Sequence, residues 1–263
     1  MTEGVVAIDA GSQGASLTTK DLQDVSPAVA SAWEGSFMAP FPDRVRQALL
    51  AGSQETVVKA DEVFYRGADH ADTAILALVV DGLVRTFIQT QDGRRVTIRY
   101  AFPGDVVGAP AVAMAGLGDE RSLQRWRLLG GHGVHGEALR DTLILKLPLD
   151  RFLHFAQTEV AVAFALAVSL AYRTVEAEQI LADGLFMSVR ARVARHLMDL
   201  AVWREGSLIV TERHQEIAEA IGSVREVVSR TLVGMRQDGV VERRGNETVI
   251  VNPSALHAIA AAG

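Results

Sequence analysis

The sequence predicts an α+β protein: an N-terminal β jelly roll, one long helix, and a C-terminal helix-turn-helix followed by a two-strand wing. Three observations carry that expectation. Between about residues 56 and 148, short β-rich runs alternate with Gly/Asp turns spaced roughly ten residues apart, the pattern of a β-sandwich or jelly roll. From Thr158 to Asp183 apolar residues recur at three- and four-residue spacing. From Thr211 onward two short helical patterns meet at Gly222, and a strand-turn-strand follows them.

The 263 residues suffice for two small domains, each with its own core. Although 49% of residues are hydrophobic, no uninterrupted apolar run approaches the ~20 residues of a membrane span. The run Val160–Ala171 contains Ser169 and leads into Tyr172-Arg173, which suits a buried or dimer-forming helix. Met1–Thr19 carries acids, Gly and Ser but no basic segment before an apolar one. No secretory signal is expected, and the protein is read as cytoplasmic. With no cysteine there is no disulfide, no cysteine-held zinc and no iron–sulfur cluster on cysteine.

The net charge of −6 does not advertise nucleic-acid binding, but it is unevenly shared. Residues 185–263 hold 10 Arg+Lys against 9 Asp+Glu, leaving 16 against 23 for residues 1–184. A locally basic surface is what phosphates meet, so the C-terminal part is the one compatible with DNA.

In chain order, residues 1–25 lack hydrophobic periodicity and are expected to be a flexible arm. Residues 26–157 form the expected roll. Pro42–Leu50 reads as a short amphipathic helix; strands are expected at Thr56–Lys59, Val63–Tyr65, Ala74–Val80, Leu83–Thr90, Arg95–Phe102, Val106–Val107 and Thr142–Pro148. Ala109–Gly136 is the least patterned stretch, readable either as a functional loop or as a surface insertion. Residues 158–184 are the long helix, about 39 Å over Thr158–Asp183 at ~1.5 Å per residue. Phe164, Val168, Ala171, Val175 and Ala182 form one stripe, and Ala163, Leu166 and Leu170 a second beside it. Two stripes allow one helix to pack on its own domain and on a partner helix. Gly184-Leu185-Phe186 is a candidate hinge before a further helix over Val189–Leu200, inside the expected DNA-binding domain 185–263.

Within that domain Ile217, Ala220 and Ile221 mark the inner face of the first helix, and Gly222 supplies the turn. Ser223 and Glu226 have the spacing of a capping box for the second helix, whose Val224, Val227, Val228, Leu232 and Met235 should face inward. Arg225, Glu226, Ser229 and Arg230 then face out, as base-reading side chains must. An ordinary helical hairpin with a solvated charged face satisfies the same spacing. Asp238-Gly239 ends the helix; Val240–Arg244, Gly245-Asn246 and Thr248–Val251 make the wing.

The run Gln215-Glu216-Ile217-Ala218, Ile221-Gly222-Ser223, Arg225-Glu226 and Val228-Ser229-Arg230, followed by Asp238-Gly239-Val240-Val241, resembles the cyclic-AMP receptor protein and fumarate-nitrate regulator (CRP/FNR) family of bacterial transcription factors. The similarity extends over roughly residues 37–257. It implies a cyclic-nucleotide-binding-like roll, a dimerisation helix, and a homodimer that binds an inverted-repeat operator in double-stranded DNA. RNA polymerase is a further expected partner if the protein activates transcription. By position, Arg225, Glu226 and Arg230 match the family's base-reading residues, and each half-site should resemble the family's GTGA. The two arginines can fork onto guanine O6 and N7, and Glu226 can accept from a cytosine amino group. Ser223, Ser229 and Gln215 suit phosphate oxygens, as do Arg243 and Arg244 in the wing.

The effector pocket departs from the pattern. Where cyclic-AMP binders carry Gly-Glu-Leu, this chain has Gly108-Ala109-Pro110, so the carboxylate for the ribose is absent. Arg121-Ser122 resembles the phosphate-holding pair but lies two residues further on, and the dimer-helix pair becomes Ala177-Glu178. Another nucleotide or a small apolar ligand is therefore a better expectation than cyclic AMP. The missing cysteines also remove the iron–sulfur oxygen sensing of one branch of the family. His132, His135 and Glu137 invite a metal reading; on a strand only His135 and Glu137 share a face, so no metal site is assigned. No catalytic constellation is visible. The alternatives are a jelly-roll metal enzyme with an accessory helical domain, and a constitutive DNA binder whose pocket is vestigial.

Overall fold

The computed structural model describes residues 25–66, 75–89, 95–115, 134–204 and 206–262. Helix α1 (Pro27–Glu34) begins with proline at its first position, and the Ser26 hydroxyl accepts from the Val29 N–H at 3.3 Å. Helix α2 (Asp43–Ala51) lies where the amphipathic pattern places it. Trp33 and Phe41 meet edge-on at 6.4 Å, and Phe41 also packs on Phe152, so these helices close one end of the roll.

The roll is made of β1 (Gln54–Val58), β2 (Val63–Arg66), β3 (Ala77–Asp81), β4 (Val84–Gln89), β5 (Arg95–Ala101), β6 (Val106–Val107), β7 (Val134–Ala138) and β8 (Thr142–Lys146). One antiparallel sheet runs β1-β8-β3-β6 and the facing sheet β2-β7-β4-β5. This is the expected jelly roll, with two additions that the sequence pattern did not disclose. Strand β7 and helix α3 (Ala109–Ala115) occupy the two ends of the unpatterned stretch 109–136. Its middle, with Arg121, Ser122 and His132, lies outside the described residues, as do residues 1–24 of the expected arm.

Helix α4 (Leu149–Thr158) precedes the long helix α5 (Val160–Phe186). Thr158 thus ends the earlier helix, and Arg44 Nη2 grips both carboxylate oxygens of the intervening Glu159 at 2.7 Å. Gly184, Leu185 and Phe186, expected as a hinge, are the last residues of α5. The chain breaks instead at Met187, and the Ser188 hydroxyl caps α6 (Val189–Leu200) by accepting from the Ala191 N–H at 3.1 Å. By length and composition the 27-residue α5, with an 18-residue window of mean hydropathy 1.5, is long and apolar enough to cross a membrane, contrary to the expectation from uninterrupted runs. The reason is that Ser169 and Tyr172-Arg173 interrupt the run, whereas an average over 18 residues absorbs them. Val162 and Ala165 are buried against the roll, and Arg173 donates to the Val106 carbonyl. Phe164, Val168 and Val175 stand exposed along the other side.

The C-terminal part adds β9 (Val202–Arg204), β10 (Ser207–Val210), α7 (His214–Ala220), α8 (Arg225–Gln237), β11 (Val241–Arg244), β12 (Glu247–Ile250) and α9 (Pro253–Ala261). The wing is not a lone hairpin but half of a four-stranded sheet ordered β11-β12-β10-β9. Leu197, Ile217, Val228, Leu232, Met235 and Leu256 are fully buried between this sheet and the helices. Leu83 and Tyr100 of the roll pack on the same core. The Tyr100 ring lies 5.6 Å from that of His196, whose Nε2 is 2.7 Å from Glu212. Burial, with the Glu212 carboxylate next, pushes the Tyr100 hydroxyl far up, so it stays protonated.

Candidate nucleic-acid interface

The turn between α7 and α8 is set by Gly222 at φ +63°, a left-handed conformation that residues with a Cβ rarely adopt. Beyond it the structure departs from the expected capping. Helix α8 starts at Arg225 with Val224 as its cap residue and no side-chain cap, so Ser223 does not close a box with Glu226. The Ser223 N–H donates instead to the Ala218 carbonyl at 2.8 Å, continuing the turn. Val224, expected to face inward, is 57% exposed because it lies just outside the helix. A reciprocal contact does occur one helix earlier: the Glu216 carboxylate accepts from the Arg213 N–H and from Arg213 Nε, both at 2.7 Å. Arg192 donates to the Ile221 carbonyl and so ties off the far end of α7.

Val228, Leu232 and Met235 anchor the inner face of α8, which leaves Arg225, Glu226 and Arg230 exposed together. Among the described residues, Arg225, Arg230, Arg236 and Arg244 make no side-chain hydrogen bond or ion pair. Three other expected phosphate contacts are already engaged. Gln215 Nε2 donates to Glu219 Oε1 at 3.0 Å, Ser229 Oγ lies 2.8 Å from His214 Nδ1, and Arg243 Nε donates to the Gly245 carbonyl at 2.8 Å.

Helix and wing enclose an open cleft of about 390 Å³ whose walls include Arg213, His214, Arg225, Arg236 and Arg243. Burial, followed by the positive charges of Arg236, Arg243 and Arg225, holds the His214 imidazole below its ordinary value. Arg213, His214 and Arg236 are the candidates that motif reading missed. Arg236 had a usable signal, since it follows Arg225 by eleven positions, three helical turns, and so shares its face. His214 had none, because its neighbours come from α8 and the wing.

Of the effector candidates, Arg121 and Ser122 lie outside the described residues. Gly108 sits at φ +92°, where a Cβ would fall 1.7 Å from the Ile75 carbonyl oxygen, so this turn is a packing requirement. Ala109 is fully buried at the start of α3, while Ala177 and Glu178 are exposed on α5. The metal reading also fails for Glu137. Arg85 donates to its Oε2 from Nη2 at 2.5 Å and Nε at 3.1 Å, and Arg95 donates to its Oε1 at 3.3 Å. Two guanidinium groups thus occupy both oxygens. His135 lies against Phe87 with ring centres 5.2 Å apart. No group of three potential metal ligands occurs among the described residues.

Residues 191–259 match the Crp-like helix-turn-helix domain. The chain is 31% identical over 202 residues to the transcriptional regulator LdrP of Thermus thermophilus, covering 74% of this chain and 91% of that one. It is 33% identical over 215 residues to the cyclic AMP receptor protein of the same organism, covering 82% and 91%. Among solved structures, a CRP/FNR-family transcriptional regulator from Thermus thermophilus shares the fold with a TM-score of 0.63 at 23% identity, over 79% of this chain and 98% of that one. With that level of identity across both domains, and with the roll, long helix and winged helix-turn-helix in this order, the chain belongs to the CRP/FNR family of transcription regulators.

Proposed function

We propose that this regulator acts in the cytoplasm as a homodimer reading an inverted repeat in double-stranded DNA. The division of labour follows the sequence expectation: a sensor roll over 26–157, a dimer helix over 158–184 and a DNA-binding domain over 185–263. The observation that carries the reading is the set of exposed, unpaired arginines on one side of α8, Arg225 and Arg230 with Glu226 between them. A guanidinium without an acid partner is poised for guanine or phosphate, whereas one already paired would first have to break its bond. Arg225, Glu226 and Arg230 read base edges; Arg236, Arg243 and Arg244 supply phosphate contacts, joined by Arg213 once it leaves Glu216 and Asp61. Gln215, once released from Glu219, and the Ser223 and Ser229 hydroxyls contribute hydrogen bonds to the backbone.

The exposed stripe Phe164, Val168 and Val175 is the surface for the second copy's α5. Two copies related by a two-fold axis present one α8 each, so half-sites lie about one helical turn apart. If the protein activates, RNA polymerase is the further partner. Its relatives carry the names of transcription regulators, and the chain is read as no enzyme. The effector is one other than cyclic AMP, because Ala109 stands where the family's ribose-binding carboxylate is expected and Ala177-Glu178 replaces its dimer-helix pair. Such an effector acts by shifting the population of relative placements of the two recognition helices. Selection from a random DNA pool tests the reading directly. An inverted repeat with a GTGA-like half-site is expected; a pool that yields no palindrome overturns it.

A further inference from the structure

We propose that His214 is a proton-linked phosphate contact: DNA binds the form of the protein whose His214 imidazole carries protons on both nitrogens, so binding takes up one proton per subunit from the buffer. The inference rests on the DNA-binding reading above and adds a residue and a condition to it.

His214 opens α7 and forms part of the wall of the cleft between helix and wing. Its Nδ1 is 2.8 Å from Ser229 Oγ on α8, which fixes the ring plane and makes Ser229 a positioning residue for the imidazole. Charged groups approach from every side. Preceding it are Glu212, whose carboxylate is taken by His196, and Arg213, bonded to Glu216 of α7. Helix α8 brings Arg225 and Arg236, and the wing brings Arg243 with Glu242 and Glu247, the last bonded to Arg204. Three of these acids, Glu212, Glu216 and Glu247, are thus engaged, and the charges acting on the ring are those of Arg236, Arg243 and Arg225.

In free protein partial burial, and then the charges of Arg236, Arg243 and Arg225, keep the imidazole below its ordinary value, so it is neutral near pH 7. A duplex in the cleft reverses the local sign. Phosphates neutralise Arg236 and Arg243, a guanine edge engages Arg225, and a phosphate oxygen can accept from Nε2–H while Nδ1–H donates to Ser229 Oγ. The bound-state value is therefore raised above the free-state one. Affinity is then greatest at pH below the free value and is lost as pH rises through the bound value.

The test measures the Kd of a duplex taken from the random-pool selection, by fluorescence anisotropy at fixed salt from pH 6 to 8. Between the free and bound values, wild type should weaken by up to about tenfold per subunit for each pH unit. His214→Gln, which can still bond Ser229, should bind with a nearly flat profile near the wild-type value at pH 8. His214→Lys should be flat near the wild-type value at pH 6. Nitrogen-15 NMR of the histidine ring in wild-type protein, with and without duplex, should show titration moving upward on binding and does not depend on either variant folding. A wild-type Kd independent of pH, a slope retained by His214→Gln, or a ring titration unmoved by duplex would overturn the role of His214 alone. Absence of duplex binding at every pH would bring down the DNA reading on which it stands.

Discussion

Arg85 and Arg225 both flank the helix-turn-helix, and they are used in opposite ways. Arg85, on β4 of the roll, is 3% exposed and lies between Glu137 of its own sheet and Glu219 of α7, the latter at 2.8 Å. Arg225 stands on the solvent side of α8 without an acid partner. A buried guanidinium has lost its hydration and needs carboxylates in fixed geometry to offset that loss. An exposed one keeps its hydration until a phosphate or guanine replaces it. The comparison separates arginines that join the roll to the DNA-binding domain from those kept for DNA.

The largest break in that comparison should come from Arg85→Ala. Glu137 would keep only the 3.3 Å contact to Arg95 in a site with 7% exposure. Stability should fall by about 3–5 kcal/mol, the cost of stranding one member of a buried pair. Urea denaturation measures it, and a loss under about 1 kcal/mol would show that the network is not structurally required. An effect of several kcal/mol is also expected for Val168→Glu, but on association rather than folding, since one charge would enter an apolar helix pair. Light scattering should find monomer; an undisturbed dimer would place the interface away from α5.

Arg225→Ala should leave stability unchanged and weaken each half-site by about 1–3 kcal/mol, relaxing preference at one guanine. Repeating the pool selection with the variant checks it, and recovery of the same site at equal stringency would remove Arg225 from base reading. Arg244→Ala should weaken all sequences alike and flatten the salt dependence of Kd by about one ion. At the bottom of the scale is Asp141→Asn. Its pair with Lys59 is exposed on both sides, and the denaturation midpoint should not move outside error.

Much of the recognition unit was legible in the sequence because its signals are local. Gly222 is required where φ is positive, apolar residues three and four apart mark the inner faces, and Asp238-Gly239 closes α8. The roll's turns at Gly82 and Gly104 were legible for the same reason. Ser223 misled because a helix start can shift by a residue or two without cost to its apolar face; here α8 begins at Arg225 and the serine stays in the turn. Strand β9 escaped notice because three residues are too few to show a period, and Trp203 and its neighbours are all exposed.

By itself the sequence determined the order of the elements, the turn of the helix-turn-helix and the outward row Arg225, Glu226 and Arg230, since each follows from periodicity or backbone conformation within a few residues. Only the tertiary structure decided which charges are spent on the fold. Glu137 looked free to bind a metal until β4 and β5 placed Arg85 and Arg95 on its two oxygens. Ser229 looked free for phosphate until α7 brought His214 within 2.8 Å. Periodicity tells which way a side chain faces, but its partner comes from another element, and that partner decides whether a charge is compensated or left for a ligand.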